Sequence, residues 1–118
     1  MGLLDFLGIK PRERSVIKEY VCNVVGTDYR NGDGSSRQEY IKTLKIGDEL
    51  IFKPAPTKEH PDSIGVFTKR GKQIGVVNYK TLNELRQNYA RNAASVEIAD
   101  VGYSNERYYS SIKIKVYN

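Results

Sequence analysis

Tryptophan is absent from this 118-residue chain, and cysteine, histidine and methionine each occur once. One cysteine cannot form an internal disulfide, and one cysteine with one histidine cannot make a structural zinc site. A single thiol suits a reducing interior, so we expect a cytoplasmic protein. We expect no cofactor, because the chain has no Gly-x-x-x-x-Gly-Lys phosphate loop and no Gly-x-Ser-x-Gly elbow.

Long hydrophobic runs are also missing. The chain has no stretch of about eighteen or more apolar residues, the length that a membrane-spanning helix needs. Its start, Met1–Phe6, lacks the basic leader of a signal peptide. We therefore expect a soluble protein that is not exported and has no membrane span.

Recognisable catalytic and metal-binding patterns are missing as well. The 14 acidic and 19 basic residues show no spacing diagnostic of acid–base chemistry. Cys22 lies in an apolar stretch and is predicted to be a core residue, although as a nucleophile it would have His60 as the only histidine base. Asn31–Gly34 matches the middle of a calcium loop, but tyrosines replace both terminal carboxylates. We predict neither an enzyme nor a metal site.

Positive charge and tyrosine are abundant. The net charge is +5, and nine tyrosines supply amphipathic rings among the charged residues. A basic surface makes an anionic partner electrostatically favourable, although it also serves solubility alone.

Apolar periodicity predicts a mainly β chain. Ile112, Ile114 and Val116 alternate with Lys113, Lys115 and Tyr117, which predicts a final strand with one dry face and one basic, aromatic face. Capping boxes Ser36/Glu39 and Thr81/Glu84 predict helices over 36–44 and 81–92. About six short strands and two short helices indicate a small antiparallel barrel, closed or nearly closed.

We predict one folded domain over residues 16–118, preceded by an N-terminal apolar tab and linker over 1–15. The tab carries Leu3, Leu4, Phe6, Leu7 and Ile9. It is short enough to pack against the barrel, and docking to a partner or resting on a membrane surface are the alternatives.

Several segments, taken in order from about Tyr20 to Val116, resemble the HIRAN family. They are Val24-Val25-Gly26-Thr27, Arg37-Gln38, Gly47-Asp48, Pro61-Asp62-Ser63-Ile64-Gly65-Val66 and Gly71-Lys72-Gln73-Ile74-Gly75. The resemblance implies an oligonucleotide-binding-like barrel. It also implies a DNA-binding module, which in the best understood members grips the 3′-hydroxyl end of a single strand. Members also occur as free-standing bacterial and phage proteins, and we expect this chain to be of that kind.

The chain departs from the family where the strand end would bind. The family commonly has Asn-Pro-aromatic-Asp, whereas this chain has Thr57-Lys58-Glu59-His60. His60 stands at the usual Asp, and Asp62 stands at the usual Asn, where we expect it to substitute in part. The residues after the first strand keep Tyr29 and Arg30, and Tyr103 falls near a position where a ring can stack on a base.

Single strands are held by a basic groove with aromatic faces for stacking. We therefore predict a site for single-stranded DNA or DNA ends, in which each tyrosine is either a stacking ring or a cap on the barrel end. The alternative function is a protein-interaction adaptor that uses the barrel surface or the tab to bind a protein partner. The predicted site residues are Tyr29, Arg30, Lys53, His60, Asp62 and Tyr103.

Overall fold

The computed structural model describes residues 15–118. The predicted tab, apart from Ser15, lies outside the described residues. Neither helix of the described part is long and apolar enough to cross a membrane. The elements in chain order are β1 (Val16–Val25), α1 (Arg37–Ile41), β2 (Glu49–Pro54), β3 (Ile64–Thr68), β4 (Gln73–Val77), α2 (Tyr79–Tyr89), β5 (Ala94–Ser104) and β6 (Arg107–Tyr117).

The six strands form a closed antiparallel barrel in the order β1-β4-β3-β2-β5-β6. Strand β1 closes it, because it pairs with β6 along most of its length and with β4 at its end. Strands β5 and β6 form a long hairpin whose tip extends to the Ser104↔Arg107 pair. The predicted antiparallel barrel with two short helices is confirmed.

Alternation along the strands places one apolar face inside the barrel. Ile112, Ile114 and Val116 are fully buried, as the period of two predicts. Tyr117, which alternates with these residues, is only 3% exposed and is not part of the core cluster. Its hydroxyl lies 2.9 Å from the hydroxyl of Ser95, so the buried ring keeps a hydrogen-bond partner. The core cluster contains Val24, Ile41, Leu50, Phe52, Ile64, Val66, Ile74, Val77, Leu82, Leu85, Ala94, Val96, Ile98, Ile112, Ile114 and Val116.

Helix α1 begins where the sequence predicts and ends earlier. The Ser36 hydroxyl accepts the Glu39 amide, as a capping residue should. The chain leaves the helix after Ile41, and the Thr43 and Leu44 amides bond three residues back instead of four. Helix α1 is therefore a single anchored turn, with Ile41 in the core.

Helix α2 begins two residues before the predicted start. Its cap is Asn78, whose Oδ1 accepts the Lys80 and Thr81 amides, so the predicted cap at Thr81 is wrong. Asparagine is a strong cap and follows directly on the last residue of β4, so the helix begins at the first position available. It ends at Tyr89, three residues before the predicted end.

Candidate nucleic-acid interface

A groove of about 830 Å³ lies on the outer surface of β1 and β4. Its floor includes Val25 and Val76, which are register partners. The next residue across the sheet is Gly65. A Cβ built on Gly65 would lie 2.6 Å from Cε1 of Phe67. Only glycine at position 65 therefore lets the Phe67 ring lie this close to the backbone of β3. We call this depression the Arg37 groove, after the cation in its wall.

Two loops form the walls of the Arg37 groove. One wall comes from the segment 26–37 and the other from the proline-containing segment 55–63. The second loop is held by its own bonds: the Thr57 amide donates to the His60 carbonyl at 3.0 Å, and the His60 amide donates to the Thr57 hydroxyl at 2.9 Å. The wall is therefore a compact turn that presents Lys58, Glu59 and His60 to the groove.

Arg37 is held in the wall by neutral acceptors. Its Nε donates to Asn31 Oδ1 at 2.8 Å, and its Nη1 donates to the Gly26 carbonyl at 2.9 Å. Asn31 is itself fixed, since its Nδ2 donates to the Gln73 carbonyl of β4 at 3.1 Å. Burial lowers the pKa of Arg37 from its ordinary value, because the guanidinium loses water. None of the ion pairs among residues 15–118 gives Arg37 a carboxylate partner.

Tyr29 and Arg30 are neighbours in sequence that take different positions. The Tyr29 ring lines the groove next to Gly26 and is 69% exposed, so one aromatic face is available to a ligand. The Arg30 guanidinium donates to the Gly34 carbonyl of its own loop at 2.9 Å and does not line the groove. Tyr29 therefore belongs to the site, and Arg30 stabilises the loop beside it.

His60 and Asp62 also differ in whether they line the groove. The His60 ring lines the groove, with its centroid 6.0 Å from that of Tyr79. The Asp62 carboxylate accepts the Tyr79 hydroxyl at 3.1 Å and Arg86 Nη1 at 3.3 Å, and the Tyr79 pKa is raised by that bond and by the negative charge of Asp62. Asp62 thus ties the loop to α2 and lies outside the groove lining.

Tyr103 lies at the tip of the β5–β6 hairpin, 61% exposed, with its ring centroid 4.8 Å from that of Tyr108. Arg107 at the same tip pairs with Asp28 at 3.0 Å, and Asp28 lines the groove. The Gln38 side chain bonds both backbone groups of Tyr108, at 2.6 and 2.9 Å. These contacts attach the hairpin tip to the rim of the groove.

Lys53 lies beside the groove and not in its lining. It pairs with Gly65 across β2 and β3, and its Nζ lies 5.3 Å from the centroid of the Phe67 ring. The six predicted residues are therefore divided: Tyr29 and His60 share the groove, Tyr103 and Lys53 lie near its borders, and Arg30 and Asp62 stabilise its surroundings.

The sequence-based site omits Arg37 and Gln73, which both line the groove. Both occur in segments that resemble the HIRAN family, and that was the available signal. The family-like segment around Arg37 does not reveal the role of this residue. Arg37 contacts Gly26 and Asn31, and Asn31 is itself held by β4.

Cys22 lies on the inner side of β1, half-buried and packed against the core cluster. Burial raises its thiol pKa, while hydrogen bonds from Thr81 and Asn78 act in the opposite direction. The thiol is less enclosed than the sequence predicts, and a raised pKa is unfavourable for a nucleophile at neutral pH. Within residues 15–118, no group of three or more His, Cys, Asp or Glu side chains is arranged to hold a metal ion.

Comparison with known proteins gives one match. A family model described as the HIRAN domain matches residues 17–117, which is nearly the whole chain. No curated protein and no solved structure matches significantly.

Proposed function

The chain belongs to the HIRAN family, and from this we propose that it is a non-catalytic module that binds single-stranded DNA or DNA ends in the Arg37 groove. Family membership indicates a DNA-binding module. The preference for single strands and the absence of catalysis are our proposal, supported by the geometry of the groove.

The observation that carries the proposal is the half-buried Arg37 guanidinium, which has no carboxylate partner among residues 15–118. Moving a charged group out of water is unfavourable unless a partner compensates. Arg37 has only neutral acceptors on Nε and Nη1. A phosphate is a strong partner for a guanidinium, because it accepts charge-assisted hydrogen bonds with matching geometry. The groove is thus prepared for an anion.

The exposed Tyr29 ring favours a single strand over a duplex. A Cβ built on Gly26 would lie 3.3 Å from Arg37 Nη1 and 3.6 Å from Cδ2 of Tyr29, so the cation and the ring lie close together. An unpaired base can stack on such a ring while its phosphate contacts the guanidinium, whereas the bases of a duplex are already stacked. Tyr103 at the rim adds a second exposed ring, and Lys58 in the opposite wall adds a second cation.

We propose that the 3′-hydroxyl contributes little to binding here. Glu59 and His60 stand where the best understood family members have an aromatic residue and a carboxylate. Asp62, the nearby acidic candidate, has Tyr79 and Arg86 as partners. Affinity then comes from phosphate contacts and stacking along the strand.

The test compares Arg37→Gln with Arg91→Gln, an exposed site just beyond α2 that loses the same charge. Charge-assisted bonds to phosphate predict a loss of affinity of at least about tenfold for Arg37→Gln. Arg91→Gln should bind like the wild type. Fluorescence anisotropy with a labelled single strand of about 12 nucleotides measures this, within the range of site sizes known for such barrels.

Arg37 also anchors its loop, so thermal unfolding of both variants must accompany the titration. Tyr29→Ala provides a second test, because this exposed ring can be removed without opening the core. It should lose a stacking contact, on the order of 1–3 kcal/mol. Equal binding by the wild type, Arg37→Gln and Tyr29→Ala would contradict the groove as the site. A matched strand ending in a 3′-phosphate should bind about as well as one with a free hydroxyl.

One observation favours the protein-interaction adaptor. Strand β1 exposes apolar side chains, with Val16, Ile17 and Val21 being 44%, 47% and 63% exposed. Exposed apolar patches mark interaction surfaces in many proteins. Absence of DNA binding at low salt would make the adaptor the better hypothesis.

A further inference from the structure

The Arg37 groove does not end at β4. A depression of about 300 Å³ adjoins it and shares Gln73 with it, and its lining includes Phe67 and the hairpin residues Gly71 and Lys72. We call this the hairpin depression. It contains the turn between β3 and β4, where Gly71 has a positive φ of 84°.

A further depression continues the series. It has a volume of about 500 Å³, shares Lys72 with the hairpin depression, and includes Tyr40 and Leu44 at the end of α1 together with Arg70. We call it the α1 depression. Because they share Gln73 and Lys72, the three depressions lie next to one another along the β3–β4 hairpin.

Cations occur along this surface. Arg70 and Lys72 line it, and the Lys53 ammonium lies over the Phe67 ring beside it. None of these three side chains has an ion-pair partner among residues 15–118. Lys69 is different, since it pairs with Glu49 at 2.7 Å.

The carboxylates that line the hairpin depression and the α1 depression have partners. Asp33 accepts bonds from the Ser35 amide and hydroxyl, at 2.9 and 2.6 Å. These bonds are the main reason that its pKa is lowered, and the charge of Lys72 contributes. Asp48 accepts the Lys45 amide at 2.9 Å. Asp33 opposes a phosphate in the hairpin depression, so Lys72 must offset that charge as well as attract the strand.

We propose that a single strand bound in the Arg37 groove continues across the hairpin depression into the α1 depression, so that the protein binds several consecutive nucleotides and not only a strand end. This rests on the proposed function. Lys53, Lys72 and Arg70 contact successive phosphates, and the half-buried Tyr40 ring offers a surface to a base beyond the hairpin. The ligand is an internal stretch of single-stranded DNA.

The test uses oligothymidylates of about 4 and about 12 nucleotides, which lie at the bottom and in the upper half of the site sizes known for such barrels. A longer strand binds more tightly merely because it offers more registers. The slope of log affinity against log salt avoids this problem, because it counts phosphate contacts, at about 0.7 per contact for a single strand. Three further contacts predict a slope that is steeper for the long probe by about 2.

The variants are Lys72→Ala and its control Lys113→Ala, which removes the same charge from β6 across the barrel. Lys72→Ala should flatten the slope for the long probe by about 0.7 and leave the short probe unchanged. Arg37→Gln should lower the affinity of the protein for both probes. Lys113→Ala should change neither slope.

Two results would overturn the inference, and only the second would also contradict the proposed function. If both probes bind with the same slope, or if Lys72→Ala changes neither slope, the strand stops within the Arg37 groove and the proposed function stands. If neither probe binds at low salt, the proposed function fails together with the extended path.

Discussion

At the scale of single residues, partners decide what each cation does. Arg30 lies in the loop after β1 and Arg37 begins α1, but Arg30 donates to its own loop and Arg37 donates into the groove wall. Lys69 is paired with Glu49, while Lys72 in the same hairpin lacks an ion-pair partner among the described residues. These residues contribute the same positive charge to the composition, and only their contacts show which of them are available to an anion.

Gly65 gives a prediction at this scale. A Cβ there would lie 2.6 Å from Phe67 Cε1 and 2.9 Å from Ala55 Cβ. Gly65→Ala should therefore lower the free energy of unfolding by about 1–3 kcal/mol, because the ring must move. Urea denaturation measures the loss. Gly32→Ala, where nothing lies within 4 Å of the added Cβ, is the control and should change stability little.

At the scale of elements, strands supply the floor of the site and the connections supply its chemistry. The walls of the groove come from segments 26–37 and 55–63, and β1 and β4 provide the floor between them. Segment 26–37 is attached to the barrel by Asn31 at β4 and by Asp28 at the β5–β6 tip. The loops are therefore positioned by strands remote in sequence.

Asn78 provides the prediction for an element. Its side chain accepts the amides of Lys80 and Thr81 at the start of α2. Asn78→Ala should cost about 1 kcal/mol of unfolding free energy, and Asn78→Asp should keep the cap and most of that stability. Equal losses in the two variants would show that the cap contributes little. Urea denaturation followed by circular dichroism is the measurement.

At the scale of the whole molecule, the closed barrel joins the first strand to the last. Strand β1 pairs with β6 from Val16↔Tyr117 to Asn23↔Ser111. Neither the β5–β6 hairpin nor the β3–β4 hairpin can bury its apolar face without the rest of the barrel. Closure therefore makes the folded part of the chain one cooperative unit.

Cooperativity can be tested directly. The chain has nine tyrosines and no tryptophan, so tyrosine emission reports on rings throughout the barrel. We expect urea transitions followed by tyrosine fluorescence and by far-ultraviolet circular dichroism to coincide. Separate midpoints would indicate that part of the barrel unfolds independently.

Local patterns made much of the fold predictable. The alternation of Ile112, Ile114 and Val116 predicts a strand with one buried face, because side chains along a strand point to opposite sides. Ser36 predicts the start of α1 through a bond three residues away. The start of α2 was misplaced, because Asn78 and Thr81 are both acceptable caps and only the end of β4 decides between them.

The sequence by itself determined the barrel class, the family and the basic, tyrosine-rich surface, because these depend on periodicity, ordered segments and composition. Only the tertiary structure decided which of these residues form a site. Asn31 reaches β4 across 42 residues to hold Arg37, and Gln38 reaches Tyr108 across 70 to attach the hairpin tip. Such contacts depend on how the strands close into a barrel, and no local pattern in the chain encodes that geometry.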